Sequence, residues 1–126
     1  MKSPVIQVDE STVATLNKAY QEFNARHLEA VLELMQPDVE WPNGMEGGMV
    51  YGHDGVRKYW TRQWGMIDPQ VEPLEFDLDE SRRTVVRVHQ VVRDLGGKVL
   101  VDREVEHIYN MQDGLIRSME IQEVPE

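Results

Sequence analysis

The spacing of apolar residues changes period near residue 70, and that change constrains the fold more than any single motif. Before it, core-type side chains recur every three or four residues, as one face of a helix requires. Leu16, Ala19, Tyr20, Phe23 and His27 follow Ser11-Thr12, and Leu28, Val31, Leu32 and Met35 then run to Pro37. This predicts two consecutive helices, broken near Asn24-Ala25-Arg26. Val39-Glu40-Trp41 reads as a short strand ended by Pro42, and Asn43 to Gly52 as a glycine-rich irregular loop. Asp54 is placed to cap a third helix carrying Val56, Tyr59, Trp60, Gln63 and Trp64. Beyond Pro69 the period falls to two, predicting strands over Glu72–Leu78, Thr84–Asp94, Lys98–Met111 and Leu115–Glu123. Gly96-Gly97 and Asp113-Gly114 divide the last three, and such dipeptides supply the positive φ angles of tight hairpins. Pro73 suits an edge strand. Helices followed by an antiparallel meander mean an α+β fold with the helices on one face of the sheet.

Composition narrows the function classes. At 126 residues the chain is expected to form one domain, residues 1–126. A formal charge of −10, with basic residues interleaved among acids, argues against nucleic acid, which needs clustered Lys and Arg. No apolar run approaches the roughly 18 residues of a membrane span. Met1-Lys2-Ser3-Pro4 does not open a signal peptide, so a cytoplasmic location is expected by default. The absence of cysteine rules out disulfides and thiolate metal sites. No helical His pair at i, i+4 and no His-x-His strand pair is present, and no glycine-rich phosphate loop, so neither metal nor cofactor is expected.

Counting outward from a two-residue turn at Gly96-Gly97 separates two faces. One pairs Arg87 with Glu106, His89 with Glu104 and Val91 with Asp102; the other pairs Val86 with His107, Val88 with Val105, Gln90 with Arg103 and Val92 with Val101. Periodicity leaves two arrangements open. Either the valine face lies under the helices and the charged face is solvated, or the charged face lines a pocket and the valine face joins two copies into a dimer.

Three segments resemble the nuclear transport factor 2-like superfamily, in its branch of SnoaL-like polyketide cyclases and ketosteroid isomerases. They are Phe23-Asn24-Ala25-Arg26-His27-Leu28 leading to Met35-Gln36-Pro37-Asp38-Val39-Glu40-Trp41, then Tyr51-Gly52-His53-Asp54-Gly55-Val56-Arg57, then Glu106-His107-Ile108 through Asp113-Gly114-Leu115-Ile116-Arg117-Ser118-Met119. The resemblance implies a cone: three N-terminal helices packed on a strongly curved, mostly antiparallel sheet, with a small-molecule pocket and a homodimer formed through the sheet. Glu106-His107 is similar to the acid–His pair of the isomerases, whose acid faces the pocket. This places Glu106, Glu104, Ile108, Arg87 and His89 inward, and matching the final strand places Met119, Ile121 and Glu123 inward as well. Trp41 stands where the isomerases have their aspartate base, and the family's tyrosine falls beside Tyr20, so steroid isomerisation by that mechanism is not expected. Ile121 stands where the related epoxide hydrolases have an aspartate.

Within that frame His89 oriented by Glu104 is the acid/base candidate, and Arg87 either holds Glu106 ionised or binds an anionic ligand group. Tyr20, Trp41, Tyr59, Trp60, Ile108, Met119 and Ile121 are the candidate ligand contacts; for the rings at helical spacing plain core packing is the alternative. Two functions remain: a cofactor-free isomerase, cyclase or lyase moving protons on a hydrophobic or partly anionic metabolite, or a non-catalytic ligand-binding or dimerisation module.

Overall fold

A computed structural model describes residues 7–124; Met1-Lys2-Ser3-Pro4 and the expectation attached to it lie outside them. The order is α1 (Glu10–Asn24), α2 (Leu28–Leu32), β1 (Met35–Pro42), β2 (Met49–Tyr51), α3 (Gly52–Trp64), then β3 (Ile67–Leu78), β4 (Thr84–Asp94), β5 (Val99–Gln112) and β6 (Leu115–Glu123). The strands form one sheet in the order β2-β1-β6-β5-β4-β3. All neighbours are antiparallel except β1 and β6. This is the expected α+β cone, with three helices on one face of a mostly antiparallel sheet. Among the described residues no helix is long and apolar enough to cross a membrane.

The elements differ from expectation at their ends. Met35 belongs to β1, not to the second helix, which stops at Leu32. Met49–Tyr51, read as loop, pairs with β1 because Asn43 closes a turn that folds the chain back: its carboxamide oxygen accepts from the backbone N–H groups of Met45 (3.1 Å) and Glu46 (2.9 Å). Asp54 does not cap α3; its carboxylate pairs with Arg57 one turn on. β3 begins earlier, at Ile67, and tolerates Pro69 and Pro73 because it is the free edge.

The β4–β5 register is the counted one, with Val86 opposite His107, His89 opposite Glu104 and Val92 opposite Val101. It is reached by two compensating irregularities. The Asp94 N–H bonds to the Lys98 carbonyl at 2.8 Å, closing a three-residue loop in which Gly97 takes φ 98°. A bulge between Val92 and Arg93 then leaves Leu100 unpaired and restores the count. The β5–β6 hairpin has no such compensation. Asp113 (φ 52°) and Gly114 (φ 79°) form the tight turn, but Met111 faces Ile116 while Asn110 faces Ser118, so Arg117 is an extra residue. Past that bulge Met119 sits opposite Tyr109 and Ile121 opposite His107. The side chains that share a face with Met119 are therefore His107 and Tyr109, not Glu106 and Ile108.

That settles which face the helices cover. Leu16, Ala19 and Tyr20 of α1 and Val56, Tyr59 and Trp60 of α3 pack with Val86, Val88, Val105 and Tyr109 in one core. The valine face lies under the helices, which corrects its assignment to a dimer interface. The physical reason is burial: residues 86, 88 and 105 are at most 1% exposed, and so apolar a surface gains most by meeting the helices' apolar stripes. Asn24 locks α1 to the edge strand, accepting from the Val71 N–H (2.9 Å) and donating to its carbonyl (2.7 Å), as a neighbouring strand would.

Candidate ligand pocket

Between α1, α3 and the inner sheet face lies a cavity of about 260 Å³. At its deep end stand Tyr20, Trp60, His107, Tyr109 and Met119, all buried. Trp41 and Trp60 meet edge to face (5.3 Å, 87°), so one wall is a fixed aromatic corner. Gly44 and Met45, from the turn after β1, close one side beside Tyr59. Along β4 and β5 away from His107, the lining passes through the Gln90–Arg103 pair to Val92 and Val101.

Three buried polar groups line up in the apolar floor. Tyr109 donates its hydroxyl to Oη of Tyr20 at 2.7 Å, and Tyr20 Oη lies 2.8 Å from Nδ1 of His107. With Tyr20 Oη accepting from Tyr109, its own proton is free to bond His107 Nδ1, and in that arrangement the imidazole carries its proton on Nε2. Nε2 has no protein partner among the described residues and is not among the fully enclosed atoms, so it faces the cavity. Burial lowers the His107 pKa to about 4, so the ring is neutral at physiological pH. Burial first, and then the neighbouring phenol, push Tyr20 well above the ordinary tyrosine range; burial does the same to Tyr109. The trio is thus an uncharged chain of donors and acceptors ending in one free N–H. A second polar group is unpaired: Gln63 donates from Nε2 to Tyr59 (3.1 Å), which leaves its buried Oε1 without a partner at the cavity wall.

The expected catalytic set lies elsewhere. Arg87, His89, Glu104 and Glu106 project from the opposite face of the sheet, away from the helices. There His89 Nε2 bonds Asp102 Oδ1 at 2.6 Å rather than Glu104; this bond raises its pKa, and Arg87 Nε lies 3.9 Å from Glu104. The cause is burial of the alternating valines under the helices, and β6 agrees with it, since its bulge pairs Met119 and Ile121 with Tyr109 and His107. Ile108 moves with them: it is buried, but in a groove on the outer face with Val85, Arg87 and Glu106. Of the candidate contacts, Tyr20, Trp41, Tyr59, Trp60, Met119 and Ile121 line the cavity. Glu123 shares their face by pairing with Val105, but is exposed beyond it. His107, which the count places on the valine face opposite Val86, and Tyr109, which is not among the candidate contacts, both line the cavity. Two-residue alternation from His107 points straight to Tyr109, so the signal was present. His53 and His27 have local partners, the Met35 carbonyl (3.0 Å) and Glu22 (2.7 Å). Among the described residues no group of three or more His, Asp or Glu side chains could hold a metal ion.

A bent sheet closed by three helices over an aromatic cavity is the architecture of the nuclear transport factor 2-like class. The SnoaL-like domain profile matches residues 16–119, and the chain belongs to that family. Among solved structures it is similar to TerC co-crystallised with polyporic acid (28% identity over 91% of this chain and 92% of that one, TM-score 0.78). It is also similar to an NTF2-like protein of unknown function from Burkholderia pseudomallei (26% identity, 92% of both chains, TM-score 0.78). A Mycobacterium tuberculosis protein in complex with estradiol-17β-hemisuccinate shares the fold at 16% identity, over 90% of this chain and 93% of that one, with TM-score 0.76. No curated protein matches the chain significantly.

Proposed function

We propose that this chain binds a flat, apolar, oxygen-bearing small molecule in the inner cavity and holds its oxygen on the Nε2–H of His107. The observation that carries this is the Tyr109–Tyr20–His107 chain, which uses up Nδ1 and leaves one N–H aimed into an aromatic cavity. A buried donor without a partner is costly, and a ligand carbonyl or phenol oxygen supplies one. The aromatic corner of Trp41 and Trp60 suits a planar ring system. Polyporic acid in the TerC crystal and the steroid ester in the mycobacterial complex are ligands of that general shape. The test is a matched pair, 2-naphthol and naphthalene, titrated against the fluorescence of Trp41 and Trp60. Wild type should prefer the naphthol about tenfold and His107→Phe should lose the preference; equal affinity of wild type for both overturns the reading.

A second reading, cofactor-free proton transfer in an isomerase, cyclase or lyase, is favoured by the same three groups. Reversing the chain as a unit puts the imidazole proton on Nδ1, with Tyr20 now donating to Tyr109, and exposes the Nε2 lone pair to the cavity. Nε2 then takes a proton from a carbon beside the ligand's carbonyl and returns it to another atom, with no net gain or loss. NMR of 2-tetralone in deuterated buffer tests this: wild type should speed exchange of its α-hydrogens and His107→Phe should not. Uncatalysed exchange in both leaves the binding function alone.

We further infer a homodimer through the outer sheet face. Its support is a groove of about 290 Å³ in which Leu78, Val85 and Ile108 underlie Glu75, Asp77 and Glu106, and a buried Arg87 Nε without a hydrogen-bond partner. Sedimentation should give twice the chain mass for wild type and a monomer for Arg87→Glu; a wild-type monomer at micromolar concentration rejects it.

A further inference from the structure

The cavity lining carries one formally charged side chain, and it is a cation. Of the 23 acidic residues in a chain of net charge −10, none lines the cavity among the described residues. Arg103 does, from β5. It sits on the inner face because it pairs with Gln90, between the Val88–Val105 and Val92–Val101 pairs. Gln90 Oε1 accepts from its Nε at 3.3 Å, which orients the guanidinium and leaves both Nη groups free. No carboxylate pairs with it among the described residues, whereas Arg26, Arg57, Arg62, Arg83 and Arg117 each hold one or more.

Its distance from the floor is set by the strand. Arg103 and His107 share a face four residues apart, which spans about 13 Å at 3.3 Å per residue. A ligand that touches both is elongated, apolar in the middle, with an oxygen acceptor at one end and a negative charge at the other. A guanidinium with two free Nη groups matches a planar or trigonal anion bidentately.

We infer that Arg103, positioned by Gln90, is the anchor for an acidic group on the ligand, and that the natural ligand is a flat apolar acid or its ionised enol or phenol. This rests on the pocket reading above and extends it from shape to charge. It also accounts for the empty acid quota of the lining: a carboxylate there would repel the ligand the arginine attracts.

Two dyes of like size separate the claims: anilinonaphthalene-8-sulfonate, which is anionic, and N-phenyl-1-naphthylamine, which lacks the sulfonate. Both should compete with 2-naphthol, and Met45→Trp, which narrows the cavity from the turn after β1, should weaken both. Arg103→Met keeps the apolar stem and removes the charge. It should weaken the sulfonate dye about tenfold or more and leave the neutral dye within twofold, with Arg103→Lys recovering most of the loss. Raising salt should weaken only the sulfonate dye, and only when Arg103 is present. Equal binding of the sulfonate dye by wild type and Arg103→Met overturns the anchor while leaving the pocket intact. Failure of both dyes to compete with 2-naphthol, or indifference of both to Met45→Trp, overturns the pocket reading and the anchor with it.

Discussion

Tyr20 Oη lies 2.8 Å from His107 Nδ1, joining the first helix to the fifth strand across 87 residues of sequence. The contact does two things at once. It satisfies two polar groups inside the core, and it fixes which imidazole nitrogen is left for the cavity. The stacked rings (5.8 Å, 19°) hold the geometry, and Tyr109 meets Tyr20 edge-on at 6.3 Å. A polar network in a low-dielectric interior stabilises only when every member is paired, so its members should respond unequally to deletion.

Tyr20→Phe removes the middle of the chain and leaves both His107 Nδ1 and the Tyr109 hydroxyl buried and unpaired. The expected cost is about 2–6 kcal/mol, since each of the two orphaned groups costs about 1–3 kcal/mol. Tyr109→Phe removes only the terminal donor and keeps the bond to His107, so about 1 kcal/mol is expected. Urea unfolding at constant slope should rank the two variants in that order; equal costs would mean that the middle position has no special place.

The buried imidazole gives stability a defined acid limb. The unfolded His107 titrates near the ordinary value of 6.5, the folded one at about 4. Between these pH values the unfolded chain binds the extra proton, so stability rises with pH through the window and falls as pH drops. The loss should reach about 3 kcal/mol by pH 4 and level off below it. His107→Gln should flatten that limb. By NMR, His107 should stay neutral well below pH 6.5, while His89, whose bond to Asp102 raises its pKa, should titrate above its ordinary value. A His107 midpoint near 6.5 would place the ring in water.

Charges on the outer face should be dispensable to the pocket. Arg87→Ala, His89→Ala and Glu104→Ala remove partly exposed ion pairs that water screens and that lie on the far side of the sheet from the cavity. Affinity for 2-naphthol should stay within twofold of wild type in all three. A tenfold loss in any of them would return that residue to the ligand site.

Much of this architecture could be read along the chain because its signals are local. Gly96-Gly97 and Asp113-Gly114 mark the hairpins, and the alternating valines of β4 mark a single buried face. The β4–β5 partners follow from counting because the loop and the bulge at Leu100 cancel. What could not be read is the bulge at Arg117. Nothing in Leu115-Ile116-Arg117-Ser118-Met119 announces an extra residue, yet it decides whether Met119 stands with Ile108 or with Tyr109. Arg117 is held from outside the hairpin: its guanidinium donates to the Asp38 carbonyl at 2.7 Å, where β1 runs past β6 with five residues against two. A tertiary contact chose the register, and a motif centred on Glu106 therefore pointed to the wrong face.

Replacing or deleting Arg117 should accordingly leave the inner face of β6 in place. Arg117→Ala keeps the extra backbone unit and loses one charged hydrogen bond and two loose ion pairs, at 3.6 and 3.7 Å from Asp38 and Glu40. About 1 kcal/mol is expected, with the pocket unchanged. Deletion removes the extra residue and leaves Ser118 opposite Asn110, Met119 opposite Tyr109 and Ile121 opposite His107, so both apolar side chains keep the inner face and only the bulge and the bonds of Arg117 to β1 are lost. Because no core side chain changes face, deletion should keep 2-naphthol binding, and its cost beyond that of Arg117→Ala measures what the bulge itself contributes where β1 meets β6. Circular dichroism on heating, with the dye titration beside it, compares the two variants directly. If the deletion variant folds but loses the naphthol while Arg117→Ala keeps it, Met119 and Ile121 do not hold their places by pairing with Tyr109 and His107, and the β5–β6 register is wrong.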